Sequence, residues 1–166
     1  MDINEFSRFK LRVNINAPIE QVYNAWTTPD GLESWFLRNA AFSDNEGNAR
    51  DKSTHVQQGD SYSWYWHGYS DAVVEHGKVL AIGDGNRFEF TFSLECKVSI
   101  SIYIEAVETI CELVESGLPT DEETIRRHYA GDSRGWVFYL VNLKSILEGG
   151  LDLRNKKEEI QDVITS

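Results

Sequence analysis

Four histidines, two cysteines and 27 Asp and Glu residues are the groups in this 166-residue sequence from which acid-base, nucleophilic or metal chemistry could be built. His55, His67, His76 and His128 share no ligand spacing such as two histidines four apart with a helical Glu, so no metal site is expected. No serine is expected as a nucleophile in a G-x-S-x-G elbow. No Gly-rich phosphate loop opens a helix, and Gly83-Asp84-Gly85 reads as a turn. Cys96 and Cys111 are neither close-spaced like a redox pair nor numerous enough for a disulfide framework, and are expected as reduced thiols in or near a core. Two carboxyls act as acid and base when burial or spacing sets them apart, and the sequence singles out no such pair. Binding is therefore expected before catalysis, with no cofactor.

The side chains best suited to binding are aromatic. Tyr62, Trp64 and Trp66 alternate with Ser61, Ser63 and Tyr65, which projects three large rings from one face of a strand and puts Tyr65 and His67 on the other. Phe88, Phe90 and Phe92 alternate with Arg87, Glu89 and Thr91, and Val98, Ile100, Ile102 and Ile104 do so with polar neighbours. A connection at Leu94-Glu95-Cys96 would place Phe90 across from Ile100 and Phe88 across from Ile102. A turn at Val107-Glu108 would bring Ile104 to Cys111 and Ile102 to Leu113. All three strands then share one apolar face.

That face needs a cover, and the run Thr120 to Gly150 supplies it. Trp136, Leu140, Leu143 and Leu147 fall on one helical stripe widened by Tyr139 and Ile146. Thr120 with Glu123 reads as a capping box, and Gly149-Gly150 as the end. A single helix from Asp121 to Glu148 would be roughly 40 Å long. Upstream, Phe9 to Ile15 alternates as a first strand. Asn16-Ala17-Pro18 then opens a short helix carrying Ile19, Val22, Tyr23 and Trp26, and Leu32, Trp35 and Phe36 mark a second. Further strands are expected near Leu37 to Ser43 and Val73 to Ile82, with a polar loop over Asp44 to Asp60.

The order describes an α+β domain: a curved antiparallel sheet of about six to seven strands around a long C-terminal helix, with two short helices after the first strand. One helix cannot fill a strongly curved sheet everywhere, so a cavity is expected between them. A formal charge of −11 opposes nucleic acid and anionic membrane surfaces. No stretch approaches the roughly 20 apolar residues that span a bilayer, and the first residues lack a signal-peptide pattern, so a cytoplasmic location is expected.

The run from Ile15-Asn16-Ala17-Pro18 through Trp26-Thr27-Thr28-Pro29-Asp30-Gly31-Leu32 resembles the opening motif of START-like (SRPBCC), helix-grip domains related to the birch-pollen allergen. Gly135-Trp136 through Leu140, Leu143-Lys144 and Leu147-Glu148 to Leu151-Asp152-Leu153-Arg154 is similar to the branch named after the activator of the ninety-kilodalton heat-shock chaperone's ATPase. Ile104 to Thr109 and Glu115 to Leu118 resemble that branch's penultimate hairpin. The likeness covers a core of about 8–154 in a single domain of 1–166, leaving 155–166 as an extension. It implies a small apolar or amphipathic ligand held between sheet and helix, and the apolar strand faces and helix stripe read above offer Trp64, Trp66, Phe88, Phe90, Ile102, Trp136, Tyr139 and Leu140 as its expected lining. The alternatives it implies are a chaperone or other protein partner, or a cyclase or aromatase-type enzyme. Gly59-Asp60 after a long polar loop, and the unusually aromatic Trp64-Tyr65-Trp66-His67, depart from its pattern and point to a narrowed or rearranged pocket.

Overall fold

Alternation over Arg8–Ile15 produces β1, which follows a short 3-10 turn at Ile3–Ser7 in a computed structural model describing residues 3–164. Residues 1–2 and 165–166 of the expected domain lie outside the described residues. Two helices come next, α1 (Ile19–Thr27) and α2 (Pro29–Trp35), separated by Thr28, whose hydroxyl accepts from Gly31 N and caps α2. No side chain caps α1: Pro18 takes the cap position, and the backbone N–H of Asn16 donates to Glu148 Oε1 at 2.8 Å. Gly31 lies inside α2 and allows it to fold back on α1, since a Cβ there would stand 2.2 Å from Asn24 O.

Six strands follow: β2 (Asn39–Ser43), β3 (Ser61–Tyr65), β4 (Val74–Gly83), β5 (Arg87–Phe92), β6 (Cys96–Glu105) and β7 (Glu108–Ser116). All neighbours pair antiparallel in the order β1-β7-β6-β5-β4-β3-β2, a curved sheet of the helix-grip kind. Both expected hairpin registers are corrected by two residues. Phe90 faces Val98 and Phe88 faces Ile100, while Ile102 faces Cys111 and Ile104 faces Thr109. The cause is turn conformation: Leu94, Glu95, Ala106 and Val107 all take positive φ and form the tips, which centres each hairpin one residue earlier than composition suggested. A slip of two leaves every side chain on its face, so the apolar surface survives.

The covering helix starts one residue later than expected and is interrupted by a π-helical segment. Asp121 is its cap, accepting from Thr124 N at 3.0 Å, in place of the Thr120 capping box. The run then passes from α3 (Glu122–Thr124) through a π-helical segment (Ile125–Tyr129) into α4 (Ala130–Leu147), ending at Gly149 with φ of 78°. Trp136, Leu140 and Leu143 are buried against the sheet and the two short helices, where Trp26, Trp35, Phe36, Leu32 and Leu37 complete the core.

Two ion pairs, each with one buried partner, lock the irregular parts. In the 44–60 loop, Arg50 forks onto buried Asp60 at 2.8 and 2.7 Å, and Val56 is buried beneath. After α4, the nearly buried Arg154 donates to the carbonyls of Glu33, Ser34 and Leu37 at the end of α2 and pairs with Asp152. Among the described residues no helix is long and apolar enough to cross a membrane.

Candidate functional site

The eight residues expected to line a ligand divide into two groups. Trp64, Phe88, Phe90, Ile102 and Leu140 are buried in the core: Trp64 stacks on Tyr62 at 3.9 Å and meets Phe90 edge-on at 5.1 Å. Trp66, Trp136 and Tyr139 instead wall a recess of about 140 Å³, together with Phe36, Phe92 and Asp132 and the backbone of Gly131 and Gly135. Alternation had marked Phe92 and helical spacing Phe36, but their joint position depends on how α2, β5 and α4 meet. Trp66 and Tyr139 also wall an outer groove of about 310 Å³ that runs past Tyr69 and Val73. A larger, more polar groove of about 600 Å³ is lined by Ser61, Ser63, His76, Lys78 and Glu95 among others.

Gly131 and Gly135 lie one turn apart at the start of α4. Neither mediates a close approach of backbone, since a Cβ at either glycine would meet nothing within 4 Å. The letters of a G-x-S-x-G motif occur at Gly131-Asp132-Ser133-Arg134-Gly135. They lie within a helix, with Ser133 Oγ bonded to Ala130 O at 3.3 Å, so there is no strand-turn-helix elbow to activate the serine.

Beside the recess the fold brings together two carboxyls that the sequence left unpaired. Cys111, Leu113 and Glu115 share the inner face of β7, which buries Glu115 completely. Its Oε2 accepts from the Trp136 indole at 2.8 Å, and its carboxyl stands within hydrogen-bonding reach of Asp132 on α4. Glu115 Oε1 and Asp132 Oδ2 are buried and have no other hydrogen-bond partner. Burial, then the charge of Asp132, pushes Glu115 up to about 8, so the two carboxyls resist being charged together. Burial also raises Asp132, against the opposing pull of His128 and hydrogen bonds from Glu115 and Ser93. The signal in the sequence was a Glu at an inward position of an apolar strand, but nothing along the chain indicated its partner.

The remaining polar groups are distributed around this pair. Glu75, cross-strand from Trp64, is raised by burial and by Asp132. Cys96 and Cys111 are free, buried thiols pushed up to about 11 and about 12 by burial. Tyr103 faces away and donates to Glu112 at 3.0 Å, while Tyr65 lies under Arg38. Among the described residues no three His, Cys, Asp or Glu side chains form a metal-ligand set.

A family model described as activator of Hsp90 ATPase homolog 1-like protein matches residues 16–148. No curated protein sequence matches the chain. Among solved structures, the protein SSP2350 from Staphylococcus saprophyticus superposes with a TM-score of 0.69 at 18% identity, over 89% of this chain and 96% of that one. DynU16, described as a putative protein of the dynemicin biosynthetic locus, gives 0.68 at 20% identity, over 90% of this chain and 50% of its own. The Aha1 dimer from Colwellia psychrerythraea gives 0.64 at 18%, over 86% and 97%. At these identities the likeness establishes the fold.

Proposed function

The chain belongs to the activator of Hsp90 ATPase homolog 1-like protein family, and on that premise we propose that its domain is a binding module for a small apolar or amphipathic molecule seated between the curved sheet and the C-terminal helix. The observation that carries this reading is the open recess over Gly131 and Gly135. Glycine inside a helix costs about 0.5 to 1 kcal/mol relative to alanine, and packing here demands glycine at neither position. What the two glycines preserve is space, walled by Phe36, Trp66, Phe92, Trp136 and Tyr139. Trp64, Phe88, Phe90, Ile102 and Leu140 serve such a site from behind, by holding those rings in place.

Native mass spectrometry and organic extraction of freshly purified protein test this, together with melting temperatures across a panel of lipids and aromatic compounds. A ligand that binds the folded state alone raises the melting temperature by mass action, and Trp66 and Trp136 report its arrival by fluorescence. A protein that carries nothing, is stabilised by nothing and shows unresponsive tryptophans would overturn the reading.

One further observation favours a protein-partner reading of the kind the family's description suggests. Val137 and Val141 lie one turn apart on α4 and are 48% and 47% exposed, an apolar strip that the domain itself leaves uncovered. Stimulation of a ninety-kilodalton chaperone's ATPase by the protein, lost in a Val137→Lys, Val141→Lys double variant, would support it; no stimulation would remove it.

A further inference from the structure

Five aromatic side chains wall the recess, and the charged residue among its lining groups is Asp132. Aromatic faces are electron-rich and attract cations, and a carboxylate at the rim of a ring-lined hollow supplies the counter-charge. Among the described groups acting on Asp132, Glu115 is another carboxyl and Ser93 a neutral hydroxyl, while His128, whose Nδ1 stands 4.0 Å from Oδ2 on the π-helical segment, is the one that can carry positive charge. Glu75 adds a second acidic group nearby, and no Lys or Arg is among the described groups acting on Asp132.

The burial of this arrangement is what separates it from an ordinary acidic surface. Glu115 is completely buried with one oxygen unpartnered except through Asp132, and Asp132 Oδ2 is itself shielded from solvent. Glu115 is a positioning residue: its carboxyl lies against Asp132 and its Oε2 is held by the Trp136 indole, so one carboxyl braces both the acidic group and one ring of the hollow.

We propose that the recess takes the ammonium end of a small organic cation, with the charge against Asp132 and the carbons next to nitrogen against the rings of Trp66, Phe92 and Trp136. The apolar body of the ligand then lies along the outer groove past Tyr69 and Val73, which shares Trp66 and Tyr139 with the recess. A volume of about 140 Å³ accommodates a head group of a few heavy atoms and excludes a sterol skeleton. This inference rests on the binding reading above and names the chemistry of its ligand.

The test uses probes with matched bodies and different ends: 2-phenylethylamine, its trimethylammonium analogue, 2-phenylethanol and 3-phenylpropionate. Binding is read by tryptophan fluorescence and melting temperature in the full-length protein. The ammonium probes are expected to bind about tenfold more tightly than the alcohol, and the carboxylate more weakly than either. In Asp132→Asn the ratio of ammonium to alcohol affinity is expected to fall toward one. Should that variant not fold, the parent's ratio decides: fivefold or more sustains the proposal and a smaller ratio overturns it. Equal binding of alcohol and ammonium, or preference for the carboxylate, overturns the cation proposal and leaves the binding reading intact. If no probe binds and the apolar panel is also silent, both fall.

Discussion

The indole N–H of Trp136 donates at 2.8 Å to Oε2 of Glu115, joining the largest ring on the covering helix to a carboxyl on the inner face of β7. This bond crosses the interface between sheet and helix, where packing is otherwise apolar. It also makes Trp136 both a core residue and the neighbour of a titrating group. Trp136→Ala is expected to destabilise by about 3 to 5 kcal/mol in urea unfolding, since it removes a buried ring. Trp136→Phe retains most of the ring but leaves Oε2 without its donor, a cost of about 1 to 3 kcal/mol. A loss below roughly 1 kcal/mol in the alanine variant would contradict the burial seen here.

Stability should depend on pH through Glu115. Its folded pKa of about 8 lies above the ordinary carboxyl value near 4.5, so its contribution is fully present below about 4.5 and is lost as pH rises through about 8. Glu115→Gln can keep both hydrogen bonds, accepting from Trp136 and donating to Asp132, while removing the titration. The variant is expected to match the parent near pH 5 and to exceed its stability near pH 9, by on the order of 1 to 3 kcal/mol. Parallel stability curves across that range would show that Glu115 does not titrate there.

At Gly131 and Gly135, stability and binding should move in opposite directions. Alanine fits both sites without contact, so each substitution is expected to stabilise the fold by about 0.5 to 1 kcal/mol. Both glycines line the recess, so the added methyl groups are expected to narrow it. Melting temperature should rise while ligand-induced fluorescence change falls, and a variant that binds as the parent does would show that the ligand lies elsewhere.

Both thiols are buried and pushed up in pKa, which withholds the reactive thiolate. Alkylation of Cys96 and Cys111 in native protein is expected to be slow and to become complete in denaturant. Rapid native labelling of Cys111, which accepts from the Trp26 indole at 3.3 Å, would mean that the centre of the sheet opens.

Arg154 ties the segment after α4 to the end of α2 through three backbone carbonyls and Asp152, which Arg154 and Lys156 hold below the usual carboxylate range against the upward pull of burial. Arg154→Ala is expected to cost about 3 to 5 kcal/mol, because Asp152 and the carbonyls lose a partner that water cannot fully replace. Chemical denaturation measures it, and a change under about 0.5 kcal/mol would mean the tie is dispensable.

Period-two alternation by itself determined that β1, β3, β5, β6 and β7 exist and which of their faces are apolar, and 3.6-residue spacing determined that the Trp136 to Leu147 stripe covers them. These patterns are properties of a side chain's direction from the backbone, and survive whatever the partner is. Register escaped the sequence because a slip of two residues preserves every face, so only the left-handed turns at Leu94-Glu95 and Ala106-Val107 decide it. The Asp121 cap, the π-helical segment and the ties made by Asp60 and Arg154 were likewise settled by tertiary contacts. So was the site. The inward position of Glu115 was readable from Cys111 and Leu113, but its pairing with Asp132 arises because a strand and a helix meet across the core, where removal of water raises the cost of a second charge. The sequence listed the rings; folding alone separated those that fill the core, such as Trp64 and Phe90, from those that surround empty space, such as Trp66 and Tyr139, because volume left over between packed elements is a property of their arrangement and of no single residue.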